Sequence, residues 1–289
     1  MNSLIQTVST GVAVGCVYAL MALGFVLIYK ATEMVNFAQG ELMMIGAFVA
    51  YSISMTSLGY WGALLLTPAA MFAFGYLLDA GLLRRVIGQP QFVVVILTIG
   101  LGLILRGGAS MIWGADTKNM VTPFSVSQFQ VGSIMLPMKL VIIMLAAACL
   151  VVVLYTFFKR ARLGIAMQGT SENQLAAAYV GIPTKRVFSL VWGLSAAISG
   201  LAGVLVAPVI LIDPNMGLVG LNAFAAAVIG GFGSLPGAAA GGIIVGITQQ
   251  LASYYLPEGW REAAPYLLML AVLVVSREGL FGKRTQKKV

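Results

Sequence analysis

The chain has 289 residues, 60% of them hydrophobic and 9% charged, with mean hydropathy +0.97; a soluble domain carries about a quarter charged residues, so most of this chain is withheld from water and no separate soluble catalytic domain fits. The formal charge of +8 arises from 17 Lys and Arg against 9 Asp and Glu, with no His. A nucleic-acid partner would require a clustered basic patch on a soluble fold, and two scattered Cys without His argue against a soft-metal site.

Taken in chain order, apolar segments run over 8–29, 37–55, 61–83, 92–113, 138–158, 187–212, 220–232, 236–256 and 264–281. Each is near the roughly 20 residues that span a bilayer as a helix, and lipid leaves the backbone no alternative to helix here. The expectation is an all-α, polytopic transmembrane helical bundle of eight to nine spans, one membrane domain over 1–289. The opening MNSLIQTVSTG lacks a basic region ahead of its first apolar run, so that segment is expected to stay in the mature protein. Cys16 and Cys149 lie inside apolar runs and read as small hydrophobes. The region 220–240 is the irregular one. It holds Gly230-Gly231-Phe232-Gly233-Ser234-Leu235-Pro236-Gly237 after an apolar stretch of about 13 residues, short for a crossing, and reads as a broken or re-entrant helix.

Basic residues fall in alternate connections. Lys30, Arg84, Arg85, Lys159, Arg160, Arg162, Lys185, Arg186, Arg277, Lys283, Arg284, Lys287 and Lys288 share one side if every segment crosses, against Lys118, Lys139 and Arg261 on the other. The positive-inside rule then places the C-terminus and the 159–186 connection in the cytoplasm. Nine crossings put the N-terminus outside; eight put it inside. Small residues at four-residue spacing, Gly11/Gly15, Gly237/Gly241, Gly242/Gly246 and Ser195/Ser199, predict close helix seams.

Polar residues within spans are costly and mark candidate pathways. Asn36, Gln39 and Glu41 open the second segment; they read either as a polar lining at the cytoplasmic mouth of a pore or as a capped helix start at headgroup level. Asp79 precedes Arg84 and Arg85 and reads as an interfacial ion pair. Arg106, deep in the fourth segment, fits snorkelling to the outer interface as well as it fits a pore wall. Asn222, followed by alanines and the glycine break at Gly230, Gly231 and Gly233, is the better candidate for lining, since a broken helix needs a cavity for its freed backbone. No Gly-x4-Gly-Lys-Ser/Thr occurs: Gly282-Lys283 is followed by Arg284, so nucleotide is not bound by that device. No paired acids or Ser–His set suggests an enzyme, and no chain of buried acids suggests a proton relay. No cofactor is expected.

The longest connection on the basic side contains Thr170-Ser171-Glu172-Asn173-Gln174-Leu175-Ala176-Ala177-Ala178-Tyr179-Val180-Gly181. It predicts a short helix capped by Thr170 or Ser171 and ended by Gly181 and Pro183. The segment resembles the cytoplasmic coupling loop of ABC importer permeases, whose usual form is Glu-Ala-Ala, three residues, Gly. Here Leu175 stands in place of the acid. Further stretches, Asn36-Phe37-Ala38-Gln39-Gly40-Glu41-Leu42, Arg162-Leu163-Gly164-Ile165-Ala166-Met167, Gly181-Ile182-Pro183, Ile229 through Ala238 and Ser276-Arg277-Glu278-Gly279-Leu280-Phe281-Gly282, are similar to branched-chain amino-acid permeases of the LivH type over nearly the whole chain.

That resemblance implies a non-enzymatic, multi-pass subunit of a bacterial inner membrane, forming half of a pore for leucine, isoleucine or valine. It implies a second homologous permease subunit, two cytoplasmic ABC ATPase subunits and an extracytoplasmic substrate-binding protein. Ser171, Glu172, Asn173 and Leu175 would meet the ATPase, together with Ala176, Ala177, Gly181 and Pro183. Relatives of that family carry urea or short amides, which stay open as substrates. A self-sufficient channel or ion-coupled carrier is the alternative of another class.

Overall fold

The computed structural model describes residues 2–86, 89–124, 128–131 and 134–282. All nine apolar segments form helices: α1 (Asn2–Thr32), α2 (Gln39–Ser54), α3 (Gly59–Gly81), α4 (Gln91–Trp113), α5 (Met138–Arg160), α8 (Thr184–Val206), α9 (Val219–Gly230), α10 (Leu235–Tyr255) and α11 (Trp260–Val275). Two further helices, α6 (Arg162–Glu172) and α7 (Gln174–Tyr179), fill the basic-side connection. By length and composition six of these can cross a membrane, namely α1, α3, α4, α5, α8 and α10. Helices α2, α9 and α11 have 16, 12 and 16 residues.

The bundle is helical, with one addition to the all-α expectation. A two-stranded antiparallel hairpin, β1 (Gln128–Val131) and β2 (Ile134–Pro137), pairs Phe129 with Leu136. It lies in the connection between α4 and α5, outside the spans, where water can satisfy the open edges that lipid could not.

Helices α1 and α8 are buried nearly all round, and α3, α4 and α5 show most of their apolar surface outward. An all-round apolar helix belongs in the interior of such a bundle. The α1–α10 seam is the closest: Gly11 and Gly15 face Gly246 and Gly242 on the antiparallel helix, and a Cβ at Gly15 would stand 2.6 Å from the Ile243 Cα. Likewise Gly46 of α2 meets Gly200 of α8, where an added Cβ would come within 2.5 Å of the opposing Cα. Without a hydrophobic drive between helices in lipid, such backbone approach supplies the packing. The Gly237/Gly241 pair closes on Gly230 and Ala226 of α9. The Ser195/Ser199 pair serves a polar contact instead.

The packing of these helices gathers Lys30, Arg84, Lys159 and Arg277 at one end of the bundle, the basic end. There Arg84 Nε lies 3.7 Å from Asp79 Oδ2, and Ser189 Oγ donates to the same oxygen at 2.6 Å. The opposite end is tied by a backbone bridge between Lys118 and Ile212 and by Lys139 Nζ donating to the Pro208 carbonyl at 3.0 Å.

Candidate functional site: polar positions at mid-span and the basic-end helices

Helix α2 does not start at the level where α1 ends. Residues 33–38 turn back alongside α1, and Gln39 reaches Ser195 and Ser199, which lie in the middle and second half of the 23-residue α8. The second half-length helix has the same character: a 3-10 turn, Met216–Leu218, leads into α9, and Gly220 approaches Gly40 so closely that a Cβ would stand 2.7 Å from its Cα. Two helix starts therefore meet inside the bundle.

The sequence candidates separate here. Asn36 and Gln39 are 1% and 0% exposed. Asn36 Oδ1 accepts from the Ala38 amide at 3.0 Å, an Asx turn just ahead of α2, while its Nδ2 donates to Gln39 Oε1 at 3.1 Å. Gln39 Nε2 donates to Ser199 Oγ at 2.6 Å; Ser195 Oγ lies 3.1 Å from Gln39 Oε1 and 3.0 Å from the Gly24 carbonyl. A side chain on Gly24 would displace the Gln39 amide, so the glycine is what lets α1 come this near. Every polar atom of this cluster has a partner, as burial demands.

Glu41 lies two residues on and points the other way. Its carboxylate accepts from Arg106 Nη2 at 2.7 Å. Its neighbours Gly102 and Gly217 lack the Cβ that would stand 3.4 and 3.2 Å from the carboxylate carbon. Helices α2 and α4 run parallel in register through this pair: the Phe37 amide donates to Thr98 Oγ1 at 3.2 Å below it, and Trp113 Nε1 donates to Ser52 Oγ at 2.8 Å above.

Asn222 belongs to neither cluster. Its Nδ2 is 3.5 Å from the Tyr18 hydroxyl, which donates to Gln249 Oε1 at 2.5 Å. Gly230, Gly231 and Gly233 lie at the basic end in the break between α9 and α10. Gly231 has φ +92° as the C-cap of α9, a conformation open to glycine, and Ser234 caps α10 by accepting from the Gly237 amide at 3.1 Å. The break packs on the last described turn, with the Leu280 amide donating to the Ile229 carbonyl at 2.8 Å. Gly233 opens onto a groove of about 610 Å³ that Lys30, Lys159 and Pro236 also line.

In the basic-end connection the cap is Asn173, not Thr170 or Ser171. Asn173 Oδ1 accepts from the Ala176 amide at 2.9 Å, because α6 already runs through both earlier residues and uses Thr170 Oγ1 on the Ala166 carbonyl. The side chains of Ser171 and Glu172 lie outside the described residues. Helix α7 ends in a 6→1 and 5→2 pair, Ile182 N to Ala177 O and Gly181 N to Ala178 O at 3.0 Å each, with Gly181 at φ +86°. Ala177 is buried against the connection, and Leu175, Tyr179 and Val180 are 73, 89 and 76% exposed. Ala176 turns outward as well, and Pro183 precedes α8.

The family model described as "Branched-chain amino acid transport system / permease component" matches residues 7–275. This chain belongs to that family. The Escherichia coli K12 high-affinity branched-chain amino acid transport system permease protein LivH is 30% identical over 99% of this chain and 97% of its own length. BraD of Pseudomonas aeruginosa is 28% identical over 99% and 98%, and the probable LivH of Methanocaldococcus jannaschii 29% over 91% and 88%. No solved structure matches. The permease is thus a multi-pass membrane transport protein.

Three of its polar partners escaped the sequence reading. Ser195 and Ser199 were legible as a four-residue spacing, yet that spacing also marks a packing seam. Gln249, in α10, carried a direct signal: an amide inside an apolar run needs a partner. That Arg106 belongs to Glu41, across 65 residues, had no local signal at all.

Proposed function

We propose that the permease forms half of a translocation path for leucine, isoleucine or valine, driven by ATP hydrolysis on partner subunits at its basic end. The observation that carries this is full-length membership of the family: its curated members named above are branched-chain amino-acid permeases and align end to end with this chain. The partners on this reading are a second homologous permease in the inner membrane, two cytoplasmic ATPases and an extracytoplasmic binding protein.

Orientation follows from charge. The basic end faces the cytoplasm by the positive-inside rule, and nine traverses, counting α2 and α9 with the non-helical stretches that lead into them, put the N-terminus outside. The α7 element supports docking there. Its cap and its glycine stop hold a short helix rigid, and its exposed Leu175, Tyr179 and Val180 form an apolar tip of the kind that marks a protein contact. In the wall of the path we place Glu41 and Asn222. Asn36 and Gln39 support that wall from behind in the conformation described, and Gly230, Gly231 and Gly233 shape its cytoplasmic exit.

The test is reconstitution. Complexes purified through a tagged permease are placed in liposomes, and leucine accumulation is measured with and without ATP. ATP-dependent accumulation is expected, with none through the permease alone; uptake of urea or a short amide in place of leucine moves the substrate. Deleting 171–181 is expected to abolish substrate-stimulated ATP hydrolysis while the permease stays in the membrane. Unchanged stimulation removes the coupling role.

A further inference from the structure

Glu41 and Arg106 are the two oppositely charged side chains that the fold brings together in the middle of its spans. Gly102, beside the Glu41 carboxylate, is 11 residues from either end of α4, since 102 − 91 and 113 − 102 are both 11. At about 1.5 Å per residue that is the midpoint of a helix roughly 34 Å long, and so the middle of the bilayer it crosses. Charges at that depth face the bundle interior or a water-filled path. Yet the Arg106 and Glu41 side chains keep 26% and 12% of their surface exposed in the isolated chain, and Arg106 Nε is buried without an acceptor. Acyl chains cannot cover such a face. Water or a second permease must.

The electrostatics around the pair are asymmetric. The first turn of α2 and the Met216–Leu218 turn leading into α9 both start here, packed through Gly40, Gly217 and Gly220. Helix starts carry partial positive charge and broken helices present them to anionic substrate groups near the membrane midplane. Arg106 adds a full positive charge, and its buried Nε has no acceptor. Glu41 supplies the single compensating carboxylate.

We infer that the Glu41–Arg106 pair receives the head group of a zwitterionic amino acid and so determines which substrates pass. Arg106 takes the substrate carboxylate through Nε and Nη, and Glu41, released from Arg106, takes the substrate ammonium. The count of charges explains why this exchange is feasible at such depth. Empty, the site closes on itself with net charge zero; loaded, two internal charges meet two substrate charges and the sum is still zero. A neutral sugar offers neither partner, and an anion or cation offers one. Gly102 and Gly217 leave the carboxylate room to turn.

This rests on the amino-acid reading above, and the experiment separates the two. Leucine import and ATP hydrolysis are measured in liposomes for the wild-type complex and for the double variant Glu41→Gln/Arg106→Gln, with co-purification of the ATPases as the control for assembly. A pair that only ties α4 to α2 tolerates loss of both charges together, because neither is left buried without its partner. A receiving site does not: leucine imported per ATP hydrolysed is expected to fall roughly tenfold or more, because a substrate's polar group without its designated partner is rejected strongly. Should the double variant fail to assemble, Arg106→Lys keeps the charge and loses the fork, and import is expected to fall about fivefold or more in an assembled complex. Wild-type import by the double variant, or by Arg106→Lys where that variant decides, overturns the inference alone. Absence of leucine import by the wild-type complex overturns the amino-acid reading instead.

Discussion

Gln39 and Glu41 are two residues apart on one helix and have opposite fates. Gln39 turns inward to α1 and α8, is fully buried and has each polar atom engaged. Glu41 turns toward α4, keeps some exposure and shares its carboxylate with an arginine whose Nε has no acceptor. A satisfied buried network rigidifies a site, whereas a partly exposed pair with spare valence can change partners. The difference separates what holds the path in shape from what can respond to a substrate.

The comparison breaks most visibly at Gln39. Gln39→Leu orphans the Asn36 amide and the Ser199 hydroxyl; at about 1–3 kcal/mol for each buried group left unsatisfied, a loss of roughly 2–6 kcal/mol is expected, read as a lowered melting temperature in detergent. Stability close to wild type would mean that Gln39 is not the fixed element. The milder Ser199→Ala removes one acceptor and is expected to cost about 1–3 kcal/mol in the same assay, with leucine import per folded complex kept. On the Glu41 side the order of effects reverses. The double neutral variant is expected to lose import with a melting temperature near that of the wild type.

The basic end sharpens the contrast through groups with no internal role. Leu175→Ser/Tyr179→Ser removes two exposed side chains, so thermal stability should shift within about 0.5 kcal/mol, while ATPase co-purification drops. Equal recovery of the ATPases would place their docking elsewhere. Smallest of all, Asn173→Ala removes the α7 cap and is expected to cost about 1 kcal/mol of local helix stability, seen as faster amide exchange over 174–179 with the transmembrane helices unaffected.

Much of this was legible in the sequence. Each apolar run became a helix because length and the absence of charge leave the backbone no other way to satisfy itself in lipid. The glycine seams at Gly11, Gly15, Gly242 and Gly246 were legible for a similar reason: a missing Cβ is a property of the residue, whatever it packs against. The Asn173 cap was not, since Thr170, Ser171 and Asn173 are all competent caps and only the length of α6 selects among them. The hairpin at 128–137 has strands of only four residues each, too few for their period to register.

The sequence by itself therefore determined that the chain is a bundle of membrane helices, which stretches form them, and on which end the basic residues collect, because those follow from local chemistry summed along one segment at a time. Tertiary structure alone decided what each polar residue is for. Whether Gln39, Glu41 or Asn222 is sealed, paired or open depends on which helix arrives opposite it. That is settled by how close Gly24, Gly40 and Gly102 allow their neighbours to come, across separations that no local pattern encodes.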